Sequence, residues 1–278
     1  MSEEKSHPNA KLRVFRGDKD GGEFKEYEVE TFTGMVVLDA IHDVQAKQAP
    51  DLSVRWNCKA GRCGSCSAEI NGRPRLMCMT RMSAYPEGEP ITVTPMKTFP
   101  LIKDLVTDVS FNYEKAKTIP PFKPRPRDAD GTWRMQQYDI DRIQEFRKCI
   151  ECFMCQDVCH VLRDHDKKEA FAGPRHFIQL ATLDMHPLDT LDRRPMMKES
   201  FGLGLCNITK CCTEVCPEHI AITDNGIIPL KERVADDYFD PIRWAIRKVM
   251  GDDKNPPSGV SGARYKKKLP VIQETKKK

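Results

Sequence analysis

Twelve cysteines stand in three groups, at 58–78, 149–159 and 206–216, with none elsewhere. Cys58, Cys63 and Cys66 follow a C-x4-C-x2-C spacing, and Cys78 comes after eleven further residues. This is the plant-type [2Fe–2S] spacing, in which a compact loop wraps its thiolates around an anionic cluster and aims backbone N–H groups at the cluster's sulfurs. Gly61 and Gly64 lie inside the loop and permit the unusual dihedrals that such wrapping demands. The rival chemistry is a structural zinc site, which is usually built from two separated C-x2-C pairs.

The second group, Cys149, Cys152, Cys155 and Cys159, has the C-x2-C-x2-C-x3-C run of bacterial ferredoxins, with His160 where proline usually follows. Three thiolates spaced three residues apart on a helical turn can hold three corners of a cubane. The third group, Cys206, Cys212 and Cys216 followed by Pro217, is the partner run, and it carries Thr209 where the template has a cysteine. In two-cluster ferredoxins the fourth cysteine of each run ligates the other run's cluster. Exchange of that kind gives a [4Fe–4S] cluster on Cys149, Cys152, Cys155 and Cys216. It leaves a [3Fe–4S] cluster on Cys159, Cys206 and Cys212, because one corner lacks its thiolate. Cys211 is left over: successive helix residues point about 100° apart, so it and Cys212 do not easily face one cluster. It reads as an ordinary buried thiol, with ligation of something outside these clusters as the alternative.

Elements of two kinds must position these thiols. Residues 11–32 alternate apolar and polar around a long Gly-rich turn at 18–22, which reads as a hairpin. Val36, Val37, Leu38, Ile41 and Val44 recur at helical spacing, giving an amphipathic helix of about three turns. Ser67 to Ile70 and Leu76 to Cys78 flank Asn71-Gly72, a strong hairpin signal, and Ile91 to Val93 make another strand. The first 105 or so residues are thus a small α+β unit. Pro120, Pro121, Pro124 and Pro126 mark residues 119–131 as a connector or ordered strap. Beyond them the periodicity is helical, at Ile140, Ile143 and Phe146, and again from Phe177 to Leu183 after Gly173-Pro174.

Composition narrows the function. The 278 residues suffice for two modest domains, and no run of about 18 apolar residues is present to span a bilayer. The N-terminus, Met1 to Lys5, carries acids and no apolar stretch, so the chain is expected to stay in the reducing compartment where it is made, where clusters and not disulfides explain the cysteines. The net charge of +4 is a property of the end: residues 264–278 carry seven basic residues and one acid, a surplus larger than that of the whole chain. No nucleic-acid partner is expected from a nearly neutral body. The tail reads as a solvated end, or as an attachment to acidic headgroups.

With these motifs in hand, the chain resembles the iron–sulfur subunits of the succinate dehydrogenase and fumarate reductase family over residues 10–240. The resemblance implies an α+β fold: a β-grasp plant-type ferredoxin domain at 1–118 and an all-α bacterial ferredoxin-like domain at 132–250, while the prolines make 119–131 the connector and the charge pattern makes 251–278 a flexible basic tail. It further implies a partner flavoprotein that oxidises succinate on FAD, a membrane-anchor subunit and quinone beside the three-iron cluster, and a peripheral place on the cytoplasmic face of the cell membrane. Single electrons would pass in series from flavin to [2Fe–2S], [4Fe–4S], [3Fe–4S] and quinone, with no substrate bond broken on this chain. Familiar members carry Pro-Ser and a tryptophan shortly after the cysteine matching Cys159, and these help form the quinone site. Here that stretch is His160-Val161-Leu162-Arg163-Asp164, so the quinone residues do not carry over, and His160 stands as either a donor in a divergent pocket or a surface histidine. A ferredoxin-like subunit serving a different dehydrogenase or a disulfide reductase, and a zinc-stabilised scaffold, are the rival readings.

Overall fold

The computed structural model describes residues 9–239 together with 241, 242 and 245; the expected tail at 251–278 lies outside the described residues. The chain begins with a hairpin of β1 (Asn9–Asp18) and β2 (Gly21–Glu30). Its turn is tighter than the glycines suggest: Asp18 pairs with Gly21, leaving Lys19 and Asp20 at the bend. Lacking side chains, Gly21 and Gly22 extend the ladder where a loop was expected. Helix α1 (Val37–Lys47) buries Val37, Leu38, Ile41 and Val44. These residues belong to one apolar core with Leu12 and Val14 of β1 and Tyr27 and Val29 of β2.

Strands β3 (Ser67–Ile70) and β4 (Arg73–Leu76) turn at Asn71-Gly72, and β5 (Ile91–Thr94) runs parallel to β1. The order is β4-β3-β5-β1-β6-β7, with β2 also on β1. Strands β6 (Leu101–Lys103) and β7 (Val106–Thr107) are additions that the sequence pattern does not announce, being too short to show alternation. A mixed sheet crossed by one helix, its central pair parallel, is the β-grasp arrangement that the resemblance implied.

After α2 (Ser110–Lys117) the chain is helical: α3 (Gln137–Gln144), α4 (Met154–Asp157), α5 (His160–Arg163), α6 (Pro174–Asp184), α7 (Cys211–Glu214) and α8 (Ile228–Phe239). Pro174 opens α6, where its fixed φ suits the helix and its missing N–H costs nothing. Phe146, Phe171, Phe177 and Phe201 form a second core, each side chain stabilising by about 1.5–3 kcal/mol on burial. The fold class is α+β; among the described residues there are two main cores and a small third cluster of Met96, Phe99 and Phe153.

A seam joins the cores. Met154, on α4 in the middle of the second cysteine run, is buried in the N-terminal core, and Ile150, Cys152 and Val215 pack against that core. Thr98 donates its N–H to Asp157 Oδ1 (3.0 Å) and its hydroxyl to the Asp157 carbonyl (2.9 Å). Across the same seam Gln156 Nε2 donates to Asn112 Oδ1 (3.0 Å). Exposed pairs Arg62–Glu218 and Arg73–Glu214 add to the contact, each worth less than about 1 kcal/mol in water.

The proline-rich connector is an ordered strap. Arg125 N–H donates to the Leu188 carbonyl and Thr190 N–H to the Lys123 carbonyl, both at 2.9 Å. Beneath it the buried Arg193 donates to the Pro120 and Pro121 carbonyls (2.8 and 3.1 Å) and pairs with Asp189 at 2.7 Å, both side chains being 1 % exposed. Arg193→Met keeps the stem but leaves Asp189 buried without its cation, so it should cost about 3–5 kcal/mol. The shift of the urea-unfolding midpoint measures this, and Asp189→Asn should cost less because the guanidinium retains its two carbonyl acceptors.

Candidate cluster sites and family membership

All twelve cysteines are free thiols. In the first group, Ala60 and Arg62 aim their N–H groups at Cys58 Sγ (3.4 and 3.3 Å). That wrapping is possible because Lys59, Gly61 and Gly64 take left-handed backbone (φ 52°, 67° and 68°). Burial works to raise the Cys63 thiol, yet hydrogen bonds from Ser65 and Cys58 outweigh it and bring the thiol down to about 7. Burial instead pushes Cys66 up to about 12, beside Cys78. Cys78 sits in a short 3-10 turn just past β4, not on the strand itself as the hairpin pattern suggested. The structure thus places Cys58 beside Cys63, and Cys66 beside Cys63 and Cys78.

The cysteines of the second and third runs line two neighbouring cavities. Burial raises Cys155 well above its ordinary value, with Cys152, Cys149, Cys212 and Cys216 as its neighbouring thiols. Burial also drives Cys152 up to about 12, next to Cys149 and Cys216. These four line one cavity with Ile150, Ile178, Ile220 and Ile222. Cys159, raised to about 11 by burial, has Cys212 and Cys206 for neighbours. Those three line a second cavity together with Cys211 and Thr209, and in it Cys212 Sγ is 3.4 Å from Thr223 Oγ1.

Contrary to the helical-turn expectation, the runs are not on one helix. Glu151 and Phe153 flank Cys152 in left-handed backbone (φ 56° and 60°), and Ile208 and Lys210 flank Thr209 in the same way (φ 59° and 63°). Phe153 precedes α4 and Lys210 precedes α7. Backbone repeats itself, so Thr209 occupies the place that Cys152 has in the first run and Cys211 the place of Met154. Cys211 directs its sulfur to His160 Nε2 (3.6 Å) and Thr209 Oγ1 (3.6 Å), and His160 Nδ1 lies 2.9 Å from Asp164 Oδ2. The rest of the 160–164 stretch is structural: Val161 and Leu162 are buried in the helical core.

The donor chemistry is that of soft sulfur ligands: thiols raised by burial and by each other's proximity line both cavities, with largely hydrocarbon walls. A polycationic iron core relieves that crowding by taking the sulfurs as thiolates.

Two contacts that sequence spacing does not announce draw the sites together. A Cβ on Gly64 would stand 2.6 Å from Cys152 Cα, so the first loop meets the second run backbone to backbone. Cys155 and Cys212, from neighbouring sites, are near enough to influence each other. A third is electrostatic: Glu69 of β3 is completely buried, with Arg163 at 2.9 Å and Lys97 at 3.2 Å. Burial pushes the adjacent Asp157 carboxyl up to about 7; Glu69 adds to the rise while the Thr98 N–H and Arg163 oppose it.

Residues 11–114 match the family model of the 2Fe-2S iron-sulfur cluster binding domain, and residues 145–220 that of the 4Fe-4S dicluster domain. The fumarate reductase iron-sulfur subunit of Mycobacterium tuberculosis is 34 % identical over 71 % of this chain and 80 % of its own length. This chain belongs to the iron–sulfur subunits of the succinate dehydrogenase and fumarate reductase family. The Bacillus subtilis succinate dehydrogenase iron-sulfur subunit is 28 % identical over 83 % of this chain and 90 % of its own. A chain of the Mycobacterium smegmatis Sdh1 complex, in the apo form, is 68 % identical, covers 85 % of this chain and 99 % of its own, and superposes with a TM-score of 0.82. The chain is therefore a subunit of an oxidoreductase, with [2Fe–2S] and [4Fe–4S] cluster domains. No helix among the described residues is long and apolar enough to cross a membrane.

The Gly64 contact is open to test. Gly64→Ala places a methyl group into the backbone of Cys152, whereas Gly72→Ala shares the positive φ (74°) but meets nothing within 4 Å. Gly72→Ala should cost only the strain of a left-handed alanine, about 1–2 kcal/mol. Gly64→Ala should lower the melting temperature much further and diminish the iron retained by the purified protein. Thermal melts and iron analysis of both variants decide it.

Proposed function

We propose that this chain is the electron-transfer subunit of a succinate:quinone oxidoreductase, carrying electrons one at a time from an FAD-containing flavoprotein subunit to membrane quinone. The observation that carries the reading is the succession of three thiol sets, the first meeting the second through Gly64 and Cys152, the second near enough to the third for Cys155 and Cys212 to influence each other. Similarity at 68 % identity to a chain from an Sdh1 complex favours succinate oxidation.

In this reading Cys58, Cys63, Cys66 and Cys78 hold a [2Fe–2S] cluster, Cys149, Cys152, Cys155 and Cys216 a [4Fe–4S] cluster, and Cys159, Cys206 and Cys212 a [3Fe–4S] cluster. When bound, such clusters supply reversible one-electron redox chemistry at potentials set by cluster type, hydrogen bonds and burial. The chain's residues do the rest. Ala60 and Arg62 point N–H dipoles at the Cys58 sulfur, stabilising added negative charge there. Ile150, Ile178, Ile220 and Ile222 line the middle site with hydrocarbon and keep water from it. Thr209 withholds a thiolate from the third site, making it less negative and raising its potential. Exposed Leu205 and Ile208 beside Cys206 suit contact with an anchor subunit, which would hold the chain peripherally at the cytoplasmic face of the membrane.

The purified complex should contain about nine iron atoms and about ten acid-labile sulfides per chain, with zinc below stoichiometry. Oxidised, it should give the paramagnetic signal of a three-iron cluster. Thr209→Cys should abolish that signal, lower the site's potential and slow quinone reduction, while dye reduction that draws electrons upstream changes little. A wild type without the signal, in which Cys211→Ser creates it, would overturn the ligand assignment.

A further inference from the structure

Glu69 is an anomaly for a strand that follows a cluster loop. All four residues of β3 are buried, and the Glu69 side chain is 0 % exposed. A carboxylate taken wholly out of water costs several kcal/mol, and an apolar residue of similar volume would support the core as well or better. What a buried charge adds is direction, since it tolerates only a partner docked so that cations reach it. Both cations come from elsewhere in the chain: Lys97 from the segment after β5, and Arg163 from the end of α5 in the helical domain. Neither contact has hydrogen-bond alignment at the carboxylate oxygens, so the attraction is chiefly Coulombic and acts on domain placement more than on side-chain orientation.

The position of this contact decides what it can do. Glu69 lies three residues after Cys66, Asp157 beside it lies between Cys155 and Cys159, and Arg163 lies four residues after Cys159. The Thr98 hydroxyl and N–H meanwhile fasten Asp157 to the N-terminal domain. One buried charge therefore ties the strand leaving the first thiol set to the segment that contributes thiols to both other sets. Arg163 stands in the very stretch whose family tryptophan is missing here.

We propose that Glu69 is a positioning residue for electron transfer: its buried carboxylate, held by Arg163 and Lys97, sets the separation between the first thiol set and the second. This rests on the three-cluster reading above. Because tunnelling falls exponentially with separation, a small relaxation of the seam slows transfer without removing any ligand.

The test uses the whole complex. Glu69→Gln keeps the shape of the side chain and removes its charge. It should retain wild-type iron, sulfide and cluster signals and wild-type dye reduction with succinate. After a succinate pulse, however, reduction of the third site followed by freeze-quench paramagnetic resonance should slow severalfold. The relaxation enhancement of the first site's signal by the second, which reports distance, should weaken with it. The double variant Glu69→Gln/Arg163→Gln, which removes the buried cation that Glu69→Gln leaves facing a neutral amide, should keep the weakened enhancement, since it also lacks the register. Wild-type enhancement and transfer in Glu69→Gln would overturn the proposal. If Glu69→Gln does not assemble, Glu69→Asp decides: weakened enhancement with full clusters supports the proposal, and wild-type values overturn it. A wild-type complex without three cluster signals would sink the underlying reading instead.

Discussion

Crowding many thiols into apolar cavities is unfavourable until something takes them as thiolates, and most of this chain's local structure answers to that constraint. Burial holds Cys155, Cys152 and Cys159 high. Nor does a regular helix bring such closely spaced thiols to one cage. The chain therefore breaks its backbone into left-handed steps at Lys59, Glu151, Phe153, Ile208 and Lys210, conformations that cost non-glycine residues about 1–2 kcal/mol each. Cluster binding offsets that strain, which makes the cofactors part of the fold as well as its purpose.

The second organising feature is the seam. Met154 sits in the core of the other domain, Gly64 gives up its side chain so that Cys152 can approach, and Glu69 is buried with its cations. Each is unremarkable alone. Together they make the domain interface resemble a core more than a mobile contact, as an electron path demands: a hinged interface would let the distance between the first and second sites wander. The strap at 119–131, clamped by Arg193, limits the connector in the same way.

Much of this was legible in the cysteines. Spacing is a local property, and the ligand geometry of a cluster imposes it on the chain directly, so the three thiol sets and the place of Thr209 could be read before any fold was known. Alternation and helical periodicity likewise gave α1, the Asn71-Gly72 hairpin and β5, because a half-buried element must repeat its apolar side at its own period. The two-residue strand β7 carries too few residues for a period, and the tightness of the first turn depends on glycines that fit a ladder as easily as a loop.

By itself the sequence determined the spacing of the sulfurs, from which the proposed sets follow, since each is made by residues close along the chain or by the template's exchange of fourth ligands. Only the tertiary structure decided how the sets lie against one another. Gly64 and Cys152 are far apart in sequence, as are Glu69 and Arg163, and nothing in either neighbourhood marks the other. Their meeting comes from two cores docking in one register, a balance of packing and buried charge summed over the whole seam. The same holds for Cys211: adjacency to Cys212 made it ambiguous, and the repeated backbone that puts it where Met154 stands in the other run, with its sulfur toward His160, appears only when both runs are folded.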